Sequence, residues 1–274
     1  MTLLIRSIGR LLKMGGALLL LVLVLLLGPA YMLASQQVPF HADWQTANRD
    51  SSGLAPDPDR VREAVVQVYA ARTFEWRGAF GVHTWIATKA AGASRYRVYQ
   101  VLSWRRPTVE SGYAPPDRQW YGNSPTLLAD IRGEPAARAI DTIEDVVPQY
   151  PEADRYRIWP GPNSNTFIAW VVRQVPELSV DFPPNALGKD YLPDGIVARA
   201  PSHTGYQLSF GGLLGVMVAL DEGIEFDLLG LTVGVDFQSP ALKLPGIGRV
   251  GMAQPTGVEG EREVEQAAPL SASG

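Results

Sequence analysis

The sequence predicts an α+β fold: an antiparallel sheet packed with a few helices, placed after one N-terminal transmembrane helix. Three observations predict it. An uncharged, Leu-rich run extends from Met14 to Ala34. Three β-rich segments follow it, and after them come two segments whose apolar residues recur with helical spacing. The last third is apolar and interrupted by glycine, which is typical of further strands.

The uncharged run is long enough to cross a membrane. At about 1.5 Å per helical residue it spans roughly 31 Å, the thickness of a bilayer's hydrocarbon core. Arg6, Arg10 and Lys13 precede it, and the next basic residue is Arg49. The excess of basic residues before the run predicts a cytoplasmic N-terminus and an exported domain.

A cleaved secretory signal is the alternative interpretation. Such a signal has a shorter apolar region, about 7–15 residues, and ends in a small-x-small site. Here the nearest candidate site ends at Ala34 and has the large Met32 at a position that prefers a small residue. A retained anchor in the lipid bilayer is therefore favoured, and both interpretations place the domain outside the cytoplasm.

Composition divides the chain into four parts. Residues 1–37 form the cytoplasmic N-terminus and anchor, and residues 38–61, rich in Pro, Asp, Ser and Asn, form a linker. Residues 62–251 form the extracytoplasmic α+β domain. Residues 252–274 hold few large apolar residues and are expected to be a disordered tail.

Charge and residue usage exclude several classes of function. The net charge is −4, with 24 Lys plus Arg against 28 Asp plus Glu, so no nucleic-acid partner is expected. The absence of cysteine excludes disulfides, thiolate catalysis and Cys-ligated zinc. With three histidines, no metal site and no cofactor are expected.

The expected elements of the domain can be placed along the chain. Strands are predicted over residues 65–70, 82–88 and 96–104. A helix is predicted from Pro135 to Pro148, and a second from Asn165 to Val175, before Pro176. Residues 206–237 are predicted to form a β-hairpin that turns at 221–223.

Two distant positions suggest a catalytic pair. His83 lies within a predicted strand, and Ser164 lies where a helix begins. A lone strand histidine is most often structural, and Asn163 or Ser164 could simply cap the helix. The alternative is that His83 acts as base and Ser164 as nucleophile, with Gln100 orienting the imidazole and the helix N-terminus stabilising an oxyanion.

The order of these segments resembles circularly permuted papain-like domains, relatives of the NlpC/P60 hydrolases. The histidine strand of that group is similar to residues 83–86, and its nucleophile turn is similar to residues 163–167. The resemblance implies a papain-like scaffold. Ser164 stands where that group carries cysteine, so an inactive binding descendant and a serine hydrolase both fit.

A longer resemblance, from about Val65 to Gly251, is to the bacterial family of unknown function DUF3750. It rests on residues 77–80 with 83–86, and on residues 156–167, 188–195 and 240–248. The resemblance implies a membrane-attached protein of the cell envelope. Together with the orientation of the anchor, it predicts a single-pass protein of the bacterial inner membrane, with its main domain in the periplasm.

Several further residues are candidates for ligand binding. Asn163 and Asn165 flank Ser164, Trp85 follows His83 on its strand face, and Lys189 and Asp190 lie in a loop bounded by Gly and Pro. Trp104, Trp120, Trp159 and Trp170 could join Trp85 in lining a groove for a glycan or peptide, although tryptophans at such positions are usually core residues.

Two functions follow from the sequence. The first is a catalytically silent envelope module that binds an envelope polymer or a protein partner. The second is an amide or ester hydrolase or acyltransferase that uses Ser164 and His83. The missing cysteine favours the silent module.

Overall fold

The computed structural model describes residues 2–253, with side chains from Arg6 onward. The tail expected over residues 252–274 therefore lies outside the described residues, apart from its first two positions. The N-terminal segment forms two successive helices, α1 (Thr2–Leu25) and α2 (Leu27–Ala34). The stretch Arg6–Ala34 is long and apolar enough to cross a membrane.

The first sheet holds the three strands that the sequence predicts. Its strands are β1 (Val65–Arg72), β2 (Val82–Lys89), β3 (Arg97–Val101), β4 (Val109–Tyr113) and β5 (Thr126–Arg132). They pair antiparallel in the order β4-β3-β2-β1-β5. All eight residues of β2 are buried, because this central strand is covered on both faces.

Two helices cover one face of this sheet, where the sequence predicts them. They are α3 (Gly133–Val146) and α4 (Ser164–Gln174). Ile140 and Ile143 of α3 share a core with Phe167 and Ile168 of α4 and with Val82 of β2. The opposite face carries a second core around Tyr69, Trp85 and Trp120. The α+β class is confirmed.

The second sheet is larger than the sequence predicts. Instead of a single hairpin over residues 206–237, four strands lie there, and the whole sheet has seven. Its strands are β6 (Val197–Arg199), β7 (Gly205–Phe210), β8 (Leu214–Ala219), β9 (Gly223–Leu228), β10 (Leu231–Asp236), β11 (Ala241–Leu244) and β12 (Gly248–Gly251). Each strand pairs antiparallel with its sequence neighbour. The expected turn at 221–223 does connect β8 to β9.

In the second sheet the apolar face is exposed and the charged face is buried, the reverse of an ordinary sheet in a soluble protein. We call this arrangement the inverted sheet. One cross-strand row of its outer face consists of apolar side chains, most of them exposed; in strand order it reads Tyr206, Val218, Ile224, Val235, Leu242 and Val250. The neighbouring row on the inner face carries the buried side chains of Gln207, Glu225 and Lys243 and the half-buried Arg249, together with Met217 and Gly234. A sheet with one solvated face normally shows the opposite pattern.

Ion pairs from outside the sheet satisfy the buried charges. Glu225 accepts a hydrogen bond from Lys189 at 2.6 Å and one from Lys243 at 2.7 Å. Lys243 also donates to Asp181 at 2.6 Å. Burial alone would raise the pKa of Glu225, but the two lysines together lower it. The loop that carries Asp181 and Lys189 is therefore bound to the inner face of the sheet by charge.

This inversion predicts that a lysine contributes more to stability than its leucine neighbour. Lys243 is 1% exposed and Leu242 is 50% exposed. Lys243→Met leaves Asp181 and Glu225 short of a cation and is expected to lower the free energy of unfolding by about 3–5 kcal/mol. Leu242→Ser, the control, is expected to change it by about 0.5 kcal/mol or less. Denaturant unfolding of both variants measures this, and the reverse ranking would contradict the inverted sheet.

Candidate functional site

A cavity of about 1120 Å³ lies where the two sheets and the N-terminal helix meet. The start of β2, the start of α4, the β9–β10 turn and the N-terminal helix all contribute to its walls. They supply His83, Ser164, Leu229 and Leu26, in that order. The Trp159 indole donates to the Leu229 carbonyl at 2.8 Å, so it joins the loop before α4 to the second sheet.

His83 lies at one wall of this cavity and is held on both sides. Its ring stacks on Trp120, with centroids 3.7 Å apart and planes 14° apart. Nε2 lies 3.1 Å from Oε1 of Gln100. Burial lowers the pKa of the imidazole from 6.5 to about 3, and the nearby Arg118 lowers it further, whereas the hydrogen bond to Gln100 acts in the opposite direction. His83 is therefore neutral near pH 7.

The neighbours of Gln100 assign the tautomer of His83. The Nε2 amide of Gln100 donates to Glu110 at 2.6 Å, so its Oε1 faces the imidazole as an acceptor. Glu110 in turn pairs with Arg105 at 2.7 Å. An acceptor on Gln100 requires the proton on Nε2 of His83, so Nδ1 is the unprotonated nitrogen. Gln100 thus does contact the imidazole, as the catalytic hypothesis requires of an orienting residue.

Asn163, rather than Ser164, caps α4. Its Oδ1 accepts from the amides of Asn165 at 2.9 Å and Thr166 at 3.2 Å, and the Thr166 hydroxyl accepts from the Asn163 amide. The Asn163 Nδ2 donates to the carbonyls of Ile158 and Leu187. This reciprocal capping box leaves no capping role for the Ser164 hydroxyl.

Asn165 fastens the same helix end to β2. Its Nδ2 donates to the carbonyl of Val82 at 3.0 Å and to that of Leu187 at 2.8 Å, and its Oδ1 accepts from Thr84. Val82 and Thr84 are the two neighbours of His83 along β2. The side-chain amides of Asn163 and Asn165 are both engaged within the protein, so these residues position the site rather than face a ligand with free groups.

Ser164 is the first residue of α4, and it lines the same cavity as His83. Its side chain is buried, and its hydroxyl takes part in none of the hydrogen bonds found among residues 2–253. In particular, no hydrogen bond joins it to His83 within this part of the chain. The two residues line one cavity but approach it from opposite faces of β2, because α4 packs on the face of Val82 and Thr84 whereas the His83 ring lies with Trp85 and Trp120. The pair predicted from the sequence therefore does not form a bonded dyad.

The remaining candidates lie elsewhere. Trp85 is buried in the core and donates to the carbonyl of Pro116. Lys189 and Asp190 belong to the ion-pair network of the second sheet and do not line the cavity. Within residues 2–253, no cluster of three or more His, Asp or Glu could hold a metal ion.

The aromatic lining is the feature that sequence reasoning found only in part. Trp104, Trp120 and Trp159, which were proposed for a groove, do line the cavity, whereas Trp85 and Trp170 are core residues. The lining also includes Trp44 of the predicted linker and Val22 of the helix, which no sequence signal singled out. Linker residues pack on the domain through Asp117, which accepts from the amides of Leu54 and Ala55.

The capping arrangement predicts different costs for two adjacent substitutions. Asn163→Ala removes the cap and the bonds to Ile158 and Leu187, and is expected to cost at least about 1–2 kcal/mol. Ser164→Ala, the matched control, is expected to change stability by about 0.5 kcal/mol or less, because its hydroxyl makes no hydrogen bond. Denaturant unfolding compares them, and equal losses would contradict the assignment of the cap.

The burial of His83 predicts an acid-sensitive contribution to stability. A pKa lowered from 6.5 to about 3 means that this contribution is complete above pH 6.5 and is lost as the pH falls towards 3. The slope reaches at most about 1.4 kcal/mol per pH unit. His83→Gln is expected to flatten the pH dependence of unfolding between pH 7.5 and 5.

The control for this experiment is His41→Gln, because His41 is exposed. It should leave the pH dependence as in the wild type. If His83→Gln and His41→Gln give the same pH dependence, the buried neutral imidazole is contradicted.

The chain is similar to one described family. The model of a protein of unknown function (DUF3750) matches residues 63–191, which supports the resemblance found in the sequence. The match includes His83, Gln100 and Ser164 and ends before β6. No curated protein matches the chain, and no solved structure matches it.

Proposed function

We propose that this chain is a single-pass protein of the bacterial inner membrane, anchored by the run from Met14 to Ala34, whose periplasmic domain binds a ligand in the cavity without transforming it. The observation that carries the proposal is the state of the His83–Ser164 pair: both residues line one cavity, but no hydrogen bond joins them. The papain-like scaffold belongs to this proposal, since it rests on sequence resemblance alone.

Three features disfavour catalysis by this pair. A serine hydroxyl depends on an adjacent base for its reactivity. A base is most effective when its pKa lies near the working pH, and that of His83 is lowered to about 3. The amides of Asn165 and Thr166, which could stabilise an oxyanion at the helix N-terminus, already donate to Asn163.

The same features suit ligand binding. At about 1120 Å³ the cavity lies just above the volume range, about 300–1,000 Å³, of pockets that enclose small molecules. Its lining is mainly apolar and aromatic, with a few polar groups at the start of α4. The Ser164 hydroxyl can donate a hydrogen bond and Nδ1 of His83 can accept one. Each of these groups can therefore bond to a polar group of an otherwise apolar ligand.

Hydrolysis is the second candidate, favoured by the contact between Gln100 and His83. The unprotonated Nδ1 would take the Ser164 proton while Oγ bonds to the carbonyl carbon of an ester or amide. The protonated imidazole would then give that proton to the leaving alcohol or amine as its bond to the carbonyl breaks. Water would repeat the two steps on the acyl-enzyme and release the acid.

A serine-reactive phosphonate probe distinguishes these functions. With the full chain in detergent, the wild type is expected to remain unlabelled, as is Ser164→Ala, because the serine lacks an effective base. Labelling of the wild type that disappears in Ser164→Ala would overturn the silent module and establish the hydrolase. The measurement is the mass of the intact protein after exposure to the probe.

A cysteine variant controls for access to the serine. The chain has no cysteine, so Ser164→Cys carries a single thiol. Alkylation of that thiol by iodoacetamide shows that reagents reach position 164, and an unlabelled wild-type serine is then unreactive rather than shielded. If the thiol of Ser164→Cys is not alkylated, residue 164 does not line a cavity that reagents can enter.

A further inference from the structure

One wall of the cavity is the N-terminal helix itself. Val22 and Leu26 line it, and both belong to the uncharged run that extends from Met14 to Ala34. Side chains before them on the same helix, such as Leu18 and Leu20, are more than half exposed. In a bilayer these exposed side chains would face lipid chains, so this wall of the cavity would lie close to the lipid layer.

Direct contacts hold the domain against the C-terminal part of the apolar run. Met32 is buried together with Val38 and Ala79. Gly28 packs so closely on the β11–β12 turn that a Cβ there would collide with the carbonyl of Pro245, and Gly246 packs in the same way against Pro29. The helix wall of the cavity is therefore fixed relative to the domain.

The same turn is bound to the first sheet. The Arg72 guanidinium donates to the carbonyls of Gly246 at 3.0 Å and Ile247 at 3.2 Å. Because Arg72 ends β1, this contact connects the helix-binding turn to the sheet that carries His83. The helix, the turn and the cavity wall form one packed unit.

The walls of the cavity are mainly apolar and aromatic. Phe74, Trp76, Phe80 and Leu229 line it together with Val22 and Leu26 of the helix segment. Asn163, Ser164 and Asn165, at the start of α4, line the same cavity. Trp76 and Trp159 are partly exposed at this surface, and tryptophan is enriched where proteins meet the membrane–water interface.

We propose that the cavity holds the acyl chain of a membrane lipid, with its carbonyl end near Ser164 and its tail directed towards Val22 and Leu26. The inference names the ligand class of the proposed function and rests on that function for membrane attachment. An acyl chain matches the apolar walls, and its carbonyl can accept from the Ser164 hydroxyl. Each methylene moved from water into such a site contributes about 0.8 kcal/mol, but a chain that comes from the bilayer leaves an equally apolar phase. Selectivity must therefore come from shape and from the polar end.

Gly81 offers a way to fill the cavity without straining the backbone. It lines the cavity, and a Cβ added there would meet Asn185 and Leu187 at 3.7 Å, an ordinary contact distance. Gly81→Leu therefore places a side chain in the space assigned to the lipid. Gly112 lies in β4 with no atom within 4 Å of an added Cβ, so Gly112→Leu is the matched control.

The experiment uses the full chain in vesicles of phosphatidylethanolamine and phosphatidylglycerol, with a trace of phosphatidylglycerol that carries a diazirine at the end of one acyl chain. After irradiation, mass spectrometry locates the cross-linked residues. We expect adducts on cavity residues of the domain, such as Phe74 to Phe80 and Leu187, besides those on the helix. Gly81→Leu should lower the domain adducts several-fold and leave the helix adducts unchanged, whereas Gly112→Leu should change neither.

Two outcomes would overturn the inference. The first is that all lipid adducts of the wild-type chain lie on the helix. This outcome needs no variant. The second is domain adducts that persist unchanged in a folded Gly81→Leu protein. The phosphonate and cross-linking experiments fail independently. If the phosphonate leaves Ser164 unlabelled and no lipid adducts form in the cavity, the lipid ligand is excluded but the catalytically silent module is not. If the phosphonate labels Ser164 and lipid adducts form in the cavity, the silent module is excluded but the lipid ligand is not.

Discussion

The contact between the start of α4 and the start of β2 determines the rest of the site. Asn165 bonds to the backbone of β2 immediately before His83, and Asn163 caps the helix while holding the loop at Leu187. These bonds bring a hydroxyl from residue 164 and an imidazole from residue 83 to one cavity. Without them, the two elements would be joined mainly by apolar packing, which tolerates sliding better than directional hydrogen bonds do.

Much of the first sheet could be predicted, because its signals are local. The β-branched and aromatic runs of β1 and β2, and the prolines that bound α3 and α4, act within a few residues. The second sheet was harder to predict. A pattern with apolar residues outside and charges inside has the same period of two as an ordinary strand, so periodicity predicts strands but not which face is buried.

The site could be predicted only as a set of residue types. The small polar residues before α4 indicated a cap, but whether Asn163 or Ser164 supplies it depends on backbone angles that the sequence does not fix. Lys189 and Asp190 looked available for a ligand because their partners, Glu225 and Gln207, lie on strands far along the chain. The contribution of Val22 to the cavity depends on how the helix meets the domain, which is a tertiary property.

The inverted sheet has a consequence for how the chain reaches its native pairing. A shift of one residue between two strands exchanges their faces, and here the shifted pairing would turn valines and phenylalanines inward, the arrangement that hydrophobic collapse prefers. Burial therefore works against the native alignment of these hairpins. The interactions that oppose this shift come from outside the second sheet. Asp181 and Lys189 form ion pairs with Lys243 and Glu225, and these pairs require the native alignment, in which both side chains point to the inner face. The charges of the segment before β6 thus favour the native alignment of the strands that follow it in sequence.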